Sequence, residues 1–260
     1  MKKLLLGLIL LAQTLLAGLS VDQIIDGADK RDDGDNRIAN MTMIMIDKSK
    51  KQRVRQMKTF TKDFGEDSYQ AIFFLAPSDV KNTAFLTYDY DDTAHDDDQW
   101  LYLPALKKTK RIASSDKSGS FMGSDFSYSD MTKPNPEDYK YSIAKESKVD
   151  GHKVWVILRI PKNQAIIDET GYTKSYVFVR QDNFIVVRAL HLLTQKGKKK
   201  YMEVKKLEKI DGIWTATEIE MKTVKNKKRL HTTILRFNDV NYNQDLKPDF
   251  FKVRTIEKGL

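Results

Sequence analysis

The sequence predicts a mainly β protein in which one helix is followed by a long series of strands. Two observations carry this prediction. After Ile38, apolar and polar residues alternate with a period of two, in runs that are rich in β-branched and aromatic residues. Short turn signals such as Asp150-Gly151 and Asp211-Gly212 separate these runs. Runs of this kind pair with their neighbours in sequence, so the expected topology is a long antiparallel meander.

An export signal is expected at residues 1–17. Two lysines precede an apolar stretch at residues 4–16, and Ala17 offers a small residue for cleavage. The stretch is shorter than the ~20 residues that a membrane span needs. An uncleaved anchor is the alternative, because Leu15 stands where a small residue is preferred. We expect a protein that is cleaved near Ala17 and located in the periplasm.

A short amphipathic helix is predicted directly after this signal. Ser20 and Gln23 have the spacing of a capping box. Apolar residues recur at helical spacing at Val21, Ile24, Ile25 and Ala28. An Asp-rich stretch that contains Gly34 ends the helix.

Strand patterns follow to near the end of the chain. They cover residues 38–47, 52–61, 69–76, 84–90, 99–103, 139–149, 153–160, 174–180, 184–194, 199–210, 213–223 and 229–237. Between the fifth and sixth of these runs, residues 114–138 form an irregular segment with Pro134 and Pro136. Similar strands lie on both sides of the segment, so we expect one domain over residues 18–260. A connection of this length inside a compact domain is usually functional or disordered.

The composition restricts the classes of partner. The net charge is +9, and removal of Lys2 and Lys3 with the signal leaves +7. The chain has no Cys, so neither disulfides nor lipidation of the mature N-terminus are available. In an exported protein this charge favours anionic membrane head groups over nucleic acid. Basic residues form three clusters, at 48–55, 107–111 and 196–200. Each alone is a solvated turn, but two at the same rim would attract anionic head groups.

The first strand pattern carries a row of methionines on one face, Met41, Met43 and Met45. Methionine adapts to irregular apolar shapes, which suits a site for variable chains, although an ordinary core stripe is the alternative. The strands around Phe73 and Trp155 are apolar on both faces and therefore need cover on both faces. With a single helix predicted, part of one face would be left to form a pocket.

The irregular segment supplies a candidate cover for that pocket. Phe121, Met122 and Phe126 lie among glycines and serines that keep a backbone mobile. This composition is typical of a lid. The alternative is a fixed loop whose aromatic side chains fill the barrel permanently.

Catalytic and metal-binding patterns are weak. The four histidines, at positions 95, 152, 191 and 231, do not have the spacing of a metal-binding motif. Acidic residues crowd the 89–98 loop, where carboxylates suit a hard cation, but the loop lacks a regular calcium-binding spacing and is better explained as a solvated hairpin tip. No nucleophile and base pair stands out. We therefore predict that the protein is not an enzyme and uses no cofactor.

Several stretches resemble the LolA-like family of outer-membrane lipoprotein-sorting proteins. The resemblance is carried by RDDGD at 31–35, DKSKKQRVRQM at 47–57, FFLAPSDVKNTAFLTYDYDD at 73–92 and DQWLYLPALKKTKRIASSDKSGSFMGSDFSYSDM at 98–131. It extends over essentially the whole mature chain. The resemblance implies a strongly curved antiparallel sheet, a half-open β-barrel, with an N-terminal helix and a lid.

The family is one of periplasmic carriers, so the resemblance also implies a function. It implies binding and transfer of lipid or lipoprotein acyl chains, and by analogy a transporter partner of the resistance-nodulation-division type. We expect the hydrophobic cavity and lid to be formed by Met41, Met43, Met45, Phe73, Leu75, Phe85, Leu101, Leu103, Phe121, Met122, Phe126, Trp155 and Ile157. The alternative is an envelope sensor or protein-binding module that has the same fold with a filled barrel. An envelope hydrolase is the least supported class.

Overall fold

The computed structural model describes residues 18–260, so the predicted export signal lies outside the described residues. A single antiparallel sheet of 13 strands dominates the structure. Its strands are β1 (Asn36–Ile46), β2 (Gln52–Phe64), β3 (Asp67–Ala76), β4 (Ala84–Asp89), β5 (Asp98–Leu103), β6 (Lys108–Arg111), β7 (Tyr139–Val149), β8 (His152–Pro161), β9 (Tyr172–Arg180), β10 (Val186–Leu193), β11 (Lys198–Ile210), β12 (Ile213–Lys225) and β13 (Lys228–Tyr242). Three helices accompany it, α1 (Val21–Asp29), α2 (Gln164–Thr170) and α3 (Val253–Lys258).

The predicted meander is confirmed, with one exception. The strand order is β6-β5-β4-β3-β2-β1-β13-β12-β11-β10-β9-β8-β7, so neighbours in sequence pair everywhere except between β6 and β7. The first and last strands pair instead, and they join the two halves of the sheet. The sheet is curled but not closed, and β6 and β7 form its two edges. The connection between these edges, residues 112–138, must therefore cross the sheet, and we call it the crossing segment.

Local sequence explains most of the element boundaries. The hairpin turns at Asp150-Gly151 and Asp211-Gly212 have positive φ at both positions, as a type I′ turn requires. The predicted capping box of α1 is present, since Ser20 Oγ accepts from the Gln23 N–H and the Gln23 side chain accepts from the Ser20 N–H. The sequence did not indicate β6, whose residues are almost all basic or polar and show no apolar alternation. Charges are common on edge strands because they discourage pairing with other chains.

The two faces of the sheet are covered by different segments. The inner face, which carries Met41, Met43 and Met45, packs against the crossing segment and α1. On the outer face, the C-terminal segment packs against β2 to β4. It buries Phe251, which precedes α3, and Ile256 of α3. No helix in residues 18–260 is both long and apolar enough to span a membrane.

The helix α1 lies on the inner face of the β7 to β10 half of the sheet. Ile24 is fully buried in a cluster with Trp155 and Ile157 of β8. Close packing is possible because residue 27 is glycine: a Cβ there would lie 2.8 Å from the ring of Phe184. Phe184 in turn stacks near Trp155, with ring centroids 5.8 Å apart. The helix therefore forms a fixed roof over this half of the sheet.

Candidate functional site

Two buried aspartates fasten the crossing segment to the inner face. The first is Asp125, whose carboxylate accepts hydrogen bonds from the hydroxyls of Thr223 and Thr233 and contacts His231 Nδ1. Its own backbone N–H donates to Thr233 Oγ1 at 2.9 Å. These partners lie on β12 and β13, at the centre of the sheet. A carboxylate that is buried with this number of donors holds its segment in one position.

The second anchor is Asp130, which contacts β9 and β11. The Tyr172 hydroxyl donates to both of its carboxylate oxygens, at 2.8 and 2.9 Å, and Lys200 Nζ lies 3.4 Å from one of them. Burial alone would raise the pKa of Asp130, but Lys200 and the Ser127 N–H outweigh it, and this pKa is lowered. The pKa of Tyr172 is raised well above its usual value by burial and by Asp130. Asp130 is therefore held as an anion beside neutral Tyr172.

Further contacts fix the segment between Lys117 and Tyr128. Lys117 is only 1% exposed in its side chain and donates to Glu169 of α2 at 2.6 Å. The Gln99 side chain donates to the Tyr128 carbonyl at 2.9 Å. The Arg55 guanidinium donates to the Met122 carbonyl. Because it is held at several positions, the crossing segment forms a fixed layer of the core.

Aromatic side chains of the crossing segment fill the half of the inner face formed by β1 to β5. Phe121 is fully buried, with its ring centroid 5.1 Å from that of Phe85 and 6.3 Å from that of Phe74. Met43, in the predicted methionine row, is 1% exposed in the same cluster. This packing agrees with the alternative of a fixed, filled half-barrel at Phe121.

The other half of the inner face, formed by β7 to β12, contains an apolar cavity of about 530 Å³. Its roof is α1, with Ile25 and Ala28, and its side wall is the crossing segment from Phe126 to Asp138. The apolar floor comes from β9 to β12, through Val177, Val179, Ala189, Met202, Ile219 and Met221. Exposed residues of the β4–β5 loop also line the cavity, so it reaches the surface there. We call it the apolar cavity.

Strand register explains how the apolar floor and its polar border arise. One inner-face row pairs Ile157, Val177, Ala189, Met202 and Met221 across neighbouring strands. A second inner-face row lies two residues from the first on each strand, always toward the same end of the sheet. This row is polar, and we call it the polar row. The polar row comprises Tyr141, Arg159, Ser175, His191, Lys200, Thr223 and His231. Because alternate residues face the same side of a strand, one border of the apolar floor is polar across seven strands.

His191 lies in the middle of the polar row. It is buried, its Nδ1 lies 2.8 Å from Ser175 Oγ, and its ring stacks on that of Tyr172 at 4.4 Å. Burial, together with the nearby positive charge of Arg159, lowers the pKa of His191 to about 3. The imidazole is therefore neutral at neutral pH.

A second cavity, of about 630 Å³, lies beside the first and is more polar. The two share Phe126, Thr170 and Tyr172 as lining residues. The polar cavity is also lined by basic residues of two of the predicted clusters, namely Lys51, Arg53, Lys198 and Lys200.

Charge is distributed unevenly between the two ends of the sheet. Because strand directions alternate, the turns after β1, β5 and β10 lie at one end, and these turns carry the three basic clusters. The acidic 90–97 loop and the Asp-rich stretch before β1 lie at the opposite end. We call the first of these the basic end.

Most of the predicted site residues meet in one cluster, but few of them line a cavity. Nine lie in or against the inner-face cluster of β1 to β5, namely Met41, Met43, Met45, Phe85, Leu101, Leu103, Phe121, Met122 and Phe126. Only Met45 and Phe126 of the predicted set line either cavity. Trp155 and Ile157 lie instead beneath α1. The space that the sequence placed over the methionine row therefore lies over β9 to β12.

Two predicted residues are on the wrong face. Phe73 lies on the outer face, where it packs against Phe250 near α3, and Leu75 is 41% exposed. Phe74 is the residue of this strand that faces inward, as its pairing with Met57 shows. Both faces of β3 are apolar, so the pattern alone does not identify the inner one. The pairing of β3 with β2 decides it: Phe73 lies opposite Lys58, and Phe74 lies opposite the inward-facing Met57.

The acidic loop between β4 and β5 shows one unusual carboxyl group. Burial, with the nearby charge of Asp97, raises the pKa of Asp89 to about 7, although Asp89 also accepts a hydrogen bond from the Lys133 N–H at 2.8 Å. Within residues 18–260, no three His, Asp or Glu side chains are grouped so that they could hold a metal ion.

Comparisons with known proteins identify relatives over nearly the whole chain. A family model described as an uncharacterized protein matches residues 66–258. A DUF1329 family protein from Desulfovibrio piger is 30% identical, with a TM-score of 0.81 over 91% of this chain and 99% of the other. A domain from Vibrio parahaemolyticus, whose name proposes outer-membrane lipoprotein sorting, is also 30% identical, with a TM-score of 0.81 over 90% of this chain and 97% of the other.

A more distant relative shows the fold. A LolA superfamily protein from Nitrosomonas europaea is 17% identical, with a TM-score of 0.69 over 91% of this chain and 99% of the other. No protein of curated function matches the sequence significantly.

Proposed function

Because the chain belongs to the DUF1329 family and has the fold of the LolA superfamily, we propose that it is a periplasmic carrier of lipid or lipoprotein acyl chains. The apolar cavity is the observation that carries this proposal. Its volume of about 530 Å³ lies within the ~300–1,000 Å³ that is usual for small-molecule sites. The name of the Vibrio relative, which proposes lipoprotein sorting, supports the same class of ligand.

Apolar burial would provide the affinity. Each buried methylene contributes ~0.8 kcal/mol, so about ten methylenes of one acyl chain contribute roughly 8 kcal/mol before the cost of ordering the chain. Met202 and Met221 in the floor accommodate irregular chain positions because their side chains are flexible. A floor of this kind makes no directional demand on the ligand. It therefore suits a carrier that accepts related chains.

The basic end supports transfer at a membrane surface. Lysines in the turns after β1 and β10 would approach anionic head groups, each contributing ~1 kcal/mol near a charged leaflet. The polar cavity opens among the same residues and adjoins the apolar one. A transporter of the resistance-nodulation-division type stays a prediction from the family resemblance.

A protein-binding module is the second candidate function. It is favoured by the filled half of the barrel around Phe121, which leaves no space over Met41 and Met43. Such a module would bind a protein segment on its surface, and a change inside the apolar cavity would not affect that binding.

The test is a variant that fills the apolar cavity from its roof. Ala28 lines the cavity from α1, so Ala28→Phe should prevent uptake of an apolar fluorescent probe while the far-UV circular dichroism spectrum stays unchanged. Asp26→Phe is the matched control, because Asp26 is exposed on the same helix and loses only a surface ion pair with Lys30. Equal probe uptake by both variants and the wild type would reject the cavity as the binding site.

A further inference from the structure

Arg159 of β8 is a cation in the lining of the apolar cavity. Its guanidinium carbon lies 4.8 Å from the centroid of the Tyr139 ring. Its Nε is buried and has no hydrogen-bond partner. Within residues 18–260, no carboxylate forms an ion pair with it. A guanidinium in this position faces the space that the proposed acyl chain would occupy.

The other basic side chains of the polar row have their counter-ions inside the protein. Lys200 lies 3.4 Å from Asp130, and His231 contacts Asp125. Both aspartates come from the crossing segment, which follows the polar row over its central strands. The segment supplies no such partner at β8. Arg159 is therefore the basic member of the row whose counter-charge is missing from the described part of the chain.

Within the polar row, the groups on either side of this guanidinium are neutral. Ser175 is its neighbour on β9, and His191, the next member of the polar row, is uncharged because burial lowers its pKa to about 3. Burial likewise raises the pKa of Tyr141, which pairs with Arg159 across the strands, to about 12. The Tyr139 and Tyr141 hydroxyls are thus neutral and available as donors. An anion beside Arg159 would meet one full positive charge and donor groups.

Acidic side chains in the same lining do not occupy this position. Glu169 is engaged by Lys117 at 2.6 Å, and Asp130 is engaged by Lys200 and Tyr172. Asp138 also lines the cavity, as do Asp29, Asp33, Asp89, Asp96 and Asp97, and none of these carboxylates forms an ion pair with the guanidinium. A charge at an apolar wall is costly unless it is solvated or paired. A ligand anion would provide the pairing.

We propose that Arg159 binds the anionic group of an amphiphile, a carboxylate or a phosphate, whose acyl chain lies on the apolar floor. The guanidinium matches both groups through two parallel hydrogen bonds, which gives orientation as well as affinity. This inference rests on the proposed carrier function and narrows its ligand class to acidic lipids. The anchored chain would enter with its acidic group at the polar row and its methyl end toward Met202 and Ile219.

The experiment compares acidic and neutral ligands of equal chain length. The probe is a fluorescent long-chain fatty acid, with its methyl ester as the neutral counterpart. Phosphatidic acid and diacylglycerol serve as the corresponding pair of competitors. The proteins are the wild type, Arg159→Gln, Arg159→Lys and the control Arg229→Gln, which removes an equal charge from an exposed site on β13. Melting temperatures establish that each variant is folded.

The wild type and Arg229→Gln should bind one of the two acidic ligands at least about tenfold more tightly than its neutral counterpart, which is the scale of a charged hydrogen-bonded pair. For the fatty acid the counterpart is its methyl ester, and for phosphatidic acid, measured by competition, it is diacylglycerol. Arg159→Gln should lose this preference without losing the neutral ligands, and Arg159→Lys should keep part of it. A preference for the fatty acid identifies a carboxylate ligand, and a preference for phosphatidic acid identifies a phosphate. Equal binding of acidic and neutral ligands by the wild type overturns the role of Arg159 alone. Failure of every amphiphile to bind overturns the carrier function as well.

Discussion

Replacement of Phe121 by alanine separates a filled half-barrel from a mobile lid. The Phe121 side chain is 0% exposed and packs against Phe85, Tyr128 and Phe74, with centroid distances of 5.1, 5.6 and 6.3 Å. Truncation of a buried phenylalanine costs about 3–5 kcal/mol through lost burial and the remaining cavity. Three aromatic neighbours place Phe121→Ala in the upper part of that range, about 4 kcal/mol. Because Phe121 lines neither cavity, uptake of an apolar probe should change little.

The assay is urea unfolding followed by circular dichroism, with probe titration under native conditions. Leu75→Ala is the control, because Leu75 is 41% exposed on the outer face and should cost less than about 1 kcal/mol. Phe126→Ala is the informative companion, since Phe126 lines both cavities and should affect stability and probe binding together. If Phe121→Ala lost less than about 1 kcal/mol and abolished probe uptake, the segment would be a gating lid and the packing argument would be wrong.

Three further predictions concern titration and processing. The pKa of His191 is about 3 in the folded protein and 6.5 in the unfolded chain. The free energy of unfolding should therefore fall as the pH drops from 6.5 to about 3, by up to ~1.4 kcal/mol per pH unit. His191→Asn should reduce this slope, as measured by urea unfolding. For Asp89 the pH dependence of stability is opposite, because its pKa is about 7 in the folded protein and 3.8 in the unfolded chain. Stability should therefore fall as the pH rises between these values. Asp89→Asn should raise the urea midpoint at pH ~8 but not at pH ~4. The mature protein should begin near Gly18 and be released by osmotic shock, and an intact N-terminus in the membrane fraction would indicate an anchor instead.

All strands except β6 could be predicted because each of them carries its own signal. Alternation and turn residues located twelve of the strands, and a capping box with helical apolar spacing located α1, without reference to the rest of the chain. Which residues of a strand face inward could not be predicted in the same way. Phe73 and Phe74 are both large and apolar, and only the register of β3 on β2 decides which one faces inward. That register depends on contacts between strands, which a single-strand pattern does not contain.

The location of the cavity depends on contacts between residues that are far apart in the chain. Asp125 and Asp130 were visible in the irregular segment, but their partners Thr233 and Lys200 are 108 and 70 residues away. These pairs fasten the segment to β9, β11 and β13, while Phe121 packs on the β1 to β5 half, and the cavity is left between the segment, α1 and the floor of β9 to β12. The signal that could have located the open half was the alternation of Val177, Val179 and their neighbours on four consecutive strands, facing a single helix.

The central claim is that the apolar cavity holds a lipid acyl chain. Native mass spectrometry of the full protein, gently extracted from its own envelope, tests this claim most directly. The account predicts an added mass that corresponds to a lipid, which disappears in Ala28→Phe and persists in Asp26→Phe. Absence of any bound lipid, with no uptake from supplied phospholipid, fatty acid or lipopeptide, would contradict the carrier function and favour a protein-binding module.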